Sequence, residues 1–215
     1  MPKVDTLSFK EAPGWSAEIS HDEDCEQPYD GDEGVKIVVL HRNYIDPAKG
    51  KLGRSADEVQ QWAKDNARDW YVTNLYMYEH SGVAYRAGER NPFSCPWDSG
   101  QVGIVALKKS DWGRGKGERN AKRLEYAKGV AEEYGRWANG ECYGYVLRDP
   151  EGEERDSCWG HIGFEWVEES AKEAAIHAYK QQLQQEAEER EAARKARQAR
   201  TKAYIRNHVP LERRT

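Results

Sequence analysis

The sequence contains few of the residues that fill large cores or cross membranes. It has three phenylalanines, two methionines and four cysteines among 215 residues, and only 38% of its residues are apolar. No stretch approaches the ~20 apolar residues of a membrane-spanning helix, and the N-terminal residues have no apolar run typical of a signal peptide. We therefore expect a cytoplasmic protein without membrane contact, with a core filled by some of its eight tryptophans and twelve tyrosines.

The four cysteines show no C-x-x-C pair, which excludes the zinc-ribbon and thioredoxin-like patterns. They are Cys25, Cys95, Cys142 and Cys158. In a reducing compartment such cysteines behave as small buried hydrophobes, so the sequence predicts neither a bound metal nor a cofactor. A metal site made by Cys95, Cys158 and His161 is the alternative, and it requires that two distant segments meet in space.

Two segments repeat one order of residues: Ser-Cys, then tryptophan, glycine, a β-branched residue and glycine. They are Ser94–Ile104 and Ser157–Phe164. Glycine beside such rare residues usually marks a close backbone approach, so we predict that the two segments form the structural core. The residues assigned to that core are Cys95, Trp97, Asp98, Asp156, Cys158 and Trp159. Both tryptophans are expected to be buried, and both aspartates to bind turn amides.

The same two segments also contain side chains suited to catalysis. Together with His80 and His161, they could supply a nucleophile, a base and an orienting group. Neither a nucleophile elbow nor an HExxH motif is present, so the sequence assigns no catalytic residue and disfavours an enzyme without excluding one.

Charge is divided between the two ends of the chain. Residues 16–34 hold eight acids and no Lys or Arg, whereas residues 190–215 hold nine Lys or Arg and two Glu. We predict that the acidic segment binds a partner by imitating phosphate charge; a solvated loop or a divalent-cation site are the alternatives. The predicted partner-binding residues are Asp22, Glu23, Asp24, Glu26, Asp30, Asp32 and Glu33.

A basic glycine-rich loop, Gly113–Gly117, follows a predicted strand and precedes a predicted helix. Arg114 and Lys116 are therefore candidates for binding an anion. The loop lacks the G-x-x-x-x-G-K-[ST] pattern of a phosphate-binding loop, which favours an unspecialised basic loop.

Apolar periodicity predicts an α+β fold: an antiparallel or mixed sheet flanked by two helices, with a long charged C-terminal helix. Ser55 and Glu58 form a capping box before a helix over 56–69, and apolar residues at 3-4 spacing predict a second helix ending at Gly140. The strongly apolar strand 34–42 is expected to be central. The chain divides into a globular domain over 1–166 and a charged helix with a basic tail over 167–215. The other predicted strands are 15–19, 72–79, 83–86, 102–108, 143–148 and 155–159.

Over residues 16–164 the chain resembles a family of uncharacterised bacteriophage and prophage proteins. The motifs that carry the resemblance are His21–Glu26 with Pro28, Leu40–Arg42 with Tyr44, Pro92–Gly103 (PFSCPWDSGQVG), Tyr143–Val146 and Asp156–Gly160 (DSCWG). The resemblance implies no activity and assigns no catalytic residue.

If the phage origin holds, an acidic accessory factor that binds a host component is the function we expect. A defence system is the expected target, in the manner of an anti-restriction or anti-CRISPR protein, and the partner would be a host protein or a protein–nucleic-acid complex. The C-terminal helix would support self-association. The alternatives are an enzyme that binds nucleotide or nucleic acid, with metal in the acidic loop and phosphate at the glycine-rich loop, and a passive assembly role.

Overall fold

The chain forms strands and helices that alternate irregularly along the sequence. The computed structural model describes residues 3–41, 43, 50–112 and 118–208. A short 3-10 turn, Lys109–Trp112, precedes the second helix. In chain order the described elements are β1 (Lys3–Phe9), β2 (Ala12–His21), β3 (Val35–Val39), α1 (Ala56–Asp65), β4 (Trp70–Glu79), β5 (Val83–Gly88), β6 (Ser99–Lys108), α2 (Glu118–Ala138), β7 (Cys142–Arg148), β8 (Glu154–Ile162) and α3 (Phe164–His208).

The first sheet is antiparallel in the order β3-β6-β4-β5 and has a helix on each face. On one face, Ile37 and Val39 pack in the same cluster as Tyr134 of α2. On the other face, Val38 packs with Val59 of α1. Neighbouring residues of β3 therefore alternate between two cores, as the two-residue period of a strand requires.

The expectation that β3 is central is wrong in one respect. β3 is the outermost strand in the order of its sheet, although Val35, Ile37, Val38 and Val39 are all buried. Its continuous apolar run reflects cover on both faces by helices. An apolar run of this kind does not show that the strand is hydrogen-bonded to a neighbouring strand on both of its edges.

The second sheet has the order β1-β2-β7-β8 and is also antiparallel. Its first strand, β1, is absent from the elements that the sequence predicts, because only Phe9 of its seven residues is buried. The other three strands begin one to three residues before the predicted segments; β2 and β8 end two or three residues later than predicted, and β7 ends at Arg148 as predicted. Differences of this size are the usual uncertainty of element boundaries.

The chain divides into two compact units. Unit 1 comprises residues 1–4, 19–145 and 158–167, and unit 2 comprises residues 5–18, 146–157 and 168–215. One of the cuts lies at Val167, next to the predicted boundary at 166/167. After that cut, α3 belongs to the same unit as residues 5–18 and 146–157. The division into a globular domain and a separate helix stays a prediction.

Unit 2 is held by contacts of the first half of α3. Ala171 and Ala175 are buried on one side of the helix. The Trp15 indole Nε1 donates a hydrogen bond to Gln182 Oε1 at 3.1 Å, and Lys172 lies 3.9 Å from a carboxylate oxygen of Glu11. Beyond this half no described residue of α3 is buried.

The α+β class, the antiparallel pairing and the long C-terminal helix are confirmed. The strands form two four-stranded sheets, whereas the sequence predicts one. α1 begins after Ser55 as the capping box predicts, since the Ser55 hydroxyl accepts a hydrogen bond from the Glu58 amide at 3.3 Å.

Candidate binding surface

The acidic loop between β2 and β3 is anchored at its first end by Asp22. Its carboxylate accepts hydrogen bonds from the amide of Asp24 at 3.1 Å and from the amide of Gly160 at 2.9 Å. The Asp22 amide donates to the carbonyl oxygen of Cys142, also at 2.9 Å. Asp22 therefore joins the loop to β7 and β8 within unit 1.

Asp32 anchors the other end of the loop. Its Oδ1 accepts hydrogen bonds from the amides of Gly34 at 2.6 Å and Val35 at 2.9 Å, so the carboxylate closes the turn that starts β3. Asp22 and Asp32 thus have partners in the protein's own backbone. Asp32 remains exposed, as are the five other predicted partner-binding acids: Glu23, Asp24, Glu26, Asp30 and Glu33.

Tyr29 connects the middle of the loop to α2. Its backbone has a φ of 65°, in the left-handed region that a bulky side chain rarely adopts. Its hydroxyl donates a hydrogen bond to Glu133. Burial, followed by the nearby Glu133 carboxylate, raises the pKa of Tyr29, so the phenol stays protonated and remains a donor.

A second contact along α2 fixes the start of the loop. The Trp137 indole Nε1 donates to the Cys25 carbonyl oxygen at 3.2 Å. Tyr29 and Trp137 together lay the loop along one side of α2. An unusual backbone conformation that is maintained in this way often marks a functional segment.

Beside the loop lies a groove of about 910 Å³ along α2, which we call the α2 groove. Trp112 and Tyr126 form an edge-on pair with ring centroids 5.4 Å apart. Tyr126 is 47% exposed and Trp166, at the start of α3, is 62% exposed. The acidic side chains of the groove are Glu125, Glu132, Glu133 and Glu165.

Three cations pair with these acids. Lys128 lies 3.0 Å from a carboxylate oxygen of Glu125, and Arg86 lies 3.5 Å from one of Glu132. Arg136 forms an ion pair with Glu165. That hydrogen bond is the main cause that lowers the pKa of the Glu165 carboxyl and raises the pKa of the Arg136 guanidinium. Lys122 also lines the groove. The surface of loop and groove therefore combines exposed carboxylates with exposed aromatic rings, which is the chemistry that attracts Lys and Arg side chains.

His161 also lines the α2 groove. Its Nε2 atom is buried and has no hydrogen-bond partner among the described residues, and its ring stacks on Tyr145 with centroids 6.0 Å apart. Burial lowers the pKa of His161, so the neutral imidazole is favoured at neutral pH. A neutral ring adds no positive charge to this acidic surface.

The prediction that Trp97 and Trp159 are buried is wrong. Trp97 is 93% exposed and Trp159 is 41% exposed. Trp97 lies in a surface turn between β5 and β6, where polar contacts organise the chain: Cys95 Sγ donates to Asp98 Oδ2 at 3.1 Å and Ser99 Oγ donates to the Cys95 carbonyl oxygen at 2.5 Å. The tryptophan side chain therefore contributes no core packing there.

The other residues assigned to the structural core also lie at or near the surface. Cys95 and Cys158 are half-buried, and Asp98 and Asp156 are exposed. Asp156 accepts a hydrogen bond from the amide of the adjacent Ser157 at 2.8 Å, but both residues lie within β8 and this amide does not belong to a turn. The motif residues thus shape local backbone, while the cores of the first sheet are made by aliphatic residues and tyrosines.

Cys142 is the one fully buried cysteine. Burial, followed by the neighbouring Cys25 thiol, raises the pKa of Cys142 to about 12, so this thiol is unreactive at neutral pH. Among the described residues no group of three or more His, Cys, Asp or Glu side chains is arranged to hold a metal ion. Arg114 and Lys116, predicted to bind an anion, lie outside the described residues.

Sequence reasoning identified the acidic loop but missed the α2 groove. The signal lay in α2, where Glu125, Gly129, Glu133 and Arg136 share one face at helical spacing beside Tyr126. The apolar stripe on the opposite face of α2 indicates only that this helix packs against the core. No pattern in the sequence indicates that Tyr29 or Trp166 lies against this face.

Comparisons with protein-family models, with curated proteins and with solved structures find no match for this chain. Within the residues that the structure describes, no helix is both long enough and apolar enough to span a bilayer.

Proposed function

We propose that the protein is a bacteriophage accessory factor that binds a host protein in the host cytoplasm and counteracts a defence system. The observation that carries the proposal is the anchored acidic loop. Asp22 and Asp32 bind backbone amides at its two ends, while the carboxylates between them are exposed. A loop with its ends and middle already fixed loses little conformational entropy on binding.

The chemistry of the surface favours a basic partner. Exposed carboxylates of the loop attract cations, and the rings of Tyr126 and Trp166 in the α2 groove offer faces over which Lys or Arg side chains can lie. Proteins that bind nucleic acid have basic clefts that match the spacing of phosphates. We infer that the target is such a cleft, as in a restriction enzyme or another nucleic-acid-binding defence protein.

The first prediction tests the loop with a variant that leaves its anchors intact. The triple variant Glu23→Gln, Asp24→Asn, Glu26→Gln removes three exposed charges. If each contact contributes the ~0.2–1 kcal/mol of an exposed ion pair, target binding weakens by about tenfold. The measurement is the efficiency of plating of a restricted phage on cells that make the parent or the variant, since the parent is expected to lift restriction.

The matched control removes three exposed carboxylates of α3 through Glu168→Gln, Glu169→Gln and Glu173→Gln. This control has the same net charge as the loop variant and should lift restriction as the parent does. The thermal midpoint of both variants should stay near that of the parent. Restriction lifted equally by parent and loop variant, or by no form of the protein, would contradict the proposal.

A further inference from the structure

The last part of α3 has a composition unlike the rest of the helix. We call residues 190–206 the distal α3 segment. It contains seven Lys or Arg residues and one acid, Glu191. Each of its residues is exposed, so none of these charges is explained by packing within the protein.

Ion pairs along the helix account for two cations at the start of this segment and for none of four others in it. Polar helices in water are usually stabilised by opposite charges four residues apart. Such pairs occur between Arg190 and Glu186 at 3.2 Å and between Lys195 and Glu191 at 2.7 Å. From residue 196 to residue 206 the helix has no carboxylate, and among the described residues Arg194, Arg197, Arg200 and Lys202 form no ion pair.

The unpaired cations also repel one another. Arg194 and Arg197 are three residues apart, as are Arg197 and Arg200, and like charges at this spacing destabilise a helix. A helical segment without buried side chains has no tertiary packing to offset that repulsion. An anionic partner would remove it, so the free segment is poised to gain stability on binding.

The shape of the segment indicates which anion it suits. Ala192, Ala196, Ala199 and Ala203 fall about one turn apart, so they form a narrow stripe along one side of the helix. At about 100° per residue, Arg200 lies on one flank of this stripe and Lys202 on the other. Arg197 lies further round on the Arg200 side, and Arg194 lies on the opposite face of the helix. A slim helix with cations on both flanks fits the major groove of duplex DNA, which is about 12 Å wide and is bordered by phosphates on both sides.

We propose that the distal α3 segment binds the phosphate backbone of duplex nucleic acid, with its alanine stripe towards the groove. Its cations contact phosphates and release the counterions condensed on the duplex. Binding of this kind is independent of base sequence, because phosphates carry no sequence information. The proposal does not depend on the function of the acidic loop.

The second prediction uses a short fluorescent DNA duplex and the full-length chain. Anisotropy should report binding that weakens about fortyfold between about 50 and 200 mM salt if Arg197, Arg200 and Lys202 each contact a phosphate. The variant Arg194→Gln, Arg197→Gln, Arg200→Gln, Lys202→Gln should lose most of this binding and most of its salt dependence. Its helical circular dichroism should be kept, because the substitutions remove repulsion and no buried side chain.

The matched control removes four exposed cations elsewhere through Lys10→Gln, Lys51→Gln, Arg68→Gln and Arg90→Gln. It has the same net charge as the segment variant and should bind the duplex as the parent does. Equal loss in both variants would show attraction to overall charge and would overturn the proposal. So would a parent that does not bind the duplex but forms salt-sensitive oligomers that the segment variant lacks, since the partner would then be a second copy.

Discussion

Gly144 and Trp159 show how the glycines of the motifs act at the scale of single residues. Gly144 lies on β7, and a Cβ atom at that position would overlap the indole ring of Trp159 on β8. Gly103 on β6 has a comparable role, because a Cβ atom there would meet the carbonyl oxygen of Val38. Gly103 allows two strands to approach each other more closely than any side chain would permit, and Gly144 does the same for a strand and an aromatic ring.

The third prediction follows from this close approach. Gly144→Ala should lower the free energy of unfolding by about 1–3 kcal/mol, because the added methyl group forces the Trp159 ring away from the sheet. Denaturant unfolding measures the change. Gly129→Ala in α2 is the matched control: its Cβ would meet open space, and the higher helix propensity of alanine should stabilise the protein by up to about 1 kcal/mol. The same sign of effect in both variants would contradict this account.

The wrong prediction that Trp97 is buried shows what such motifs indicate and what they do not. Cysteine, tryptophan and glycine in a fixed order correctly indicate a constrained backbone, as the hydrogen bonds of Cys95 and Ser99 show. They do not indicate on which side of that backbone the indole ring lies. This depends on the surrounding segments, and a 93% exposed tryptophan has none packed against it.

At the scale of elements, the turn between β7 and β8 depends on one buried carboxylate. Asp149 is 5% exposed and accepts hydrogen bonds from the amides of Glu151 and Glu153 at 3.0 and 2.9 Å. Arg155 binds the same carboxylate at 2.5 Å. Burial by itself raises the pKa of Asp149, but the hydrogen bonds from Arg155 and from the turn amides outweigh it and lower the pKa below its ordinary value.

The fourth prediction is a pH dependence that Asp149 contributes to stability. Because its pKa is lower in the folded state, its contribution is complete above the ordinary pKa of an aspartate, ~3.9, and is lost as pH falls through the folded pKa. Asp149→Asn should therefore be less stable than the parent at pH 7, and the difference should shrink as the pH falls below ~3.9. Thermal midpoints measured across this range test it, and a difference that is constant with pH would refute it.

Element types were largely predictable, whereas pairing partners were not. Apolar runs in β3 and β6 and the capping box of α1 are local signals, and local signals determine whether a segment becomes a strand or a helix. The order β3-β6-β4-β5 depends on contacts between distant segments. β1 has little buried surface and so gave no signal at all.

At the scale of the whole molecule, the division of charge that is visible in the sequence corresponds to two surfaces in different units. The acidic loop belongs to unit 1 and the distal α3 segment to unit 2. Charge runs were readable in the sequence because they are contiguous. The α2 groove was not, because its walls come from the loop, α2, β8 and the start of α3.

The fifth prediction concerns how much of α3 the fold requires. Truncation after Glu189 removes residues of which none is buried as far as residue 206, and it should change the thermal midpoint by less than ~2 °C. Truncation after Tyr179 also removes Gln182, the hydrogen-bond partner of Trp15, and should lower the thermal midpoint by about 4 °C. Equal midpoints for the two truncated chains would show that the helix contributes nothing after Tyr179. Light scattering on the same chains measures the molecular mass, and self-association through α3 stays a prediction until then.

The exposed cations of the distal α3 segment also affect how long this part of the protein persists in a cell. Proteases that cleave after Lys or Arg need a stretch of chain that opens locally, and a helix end without buried side chains opens most easily. Seven cleavage sites lie within residues 190–206. A bound partner would cover these sites. Proteases would therefore remove the distal α3 segment first from the protein molecules that have no partner bound.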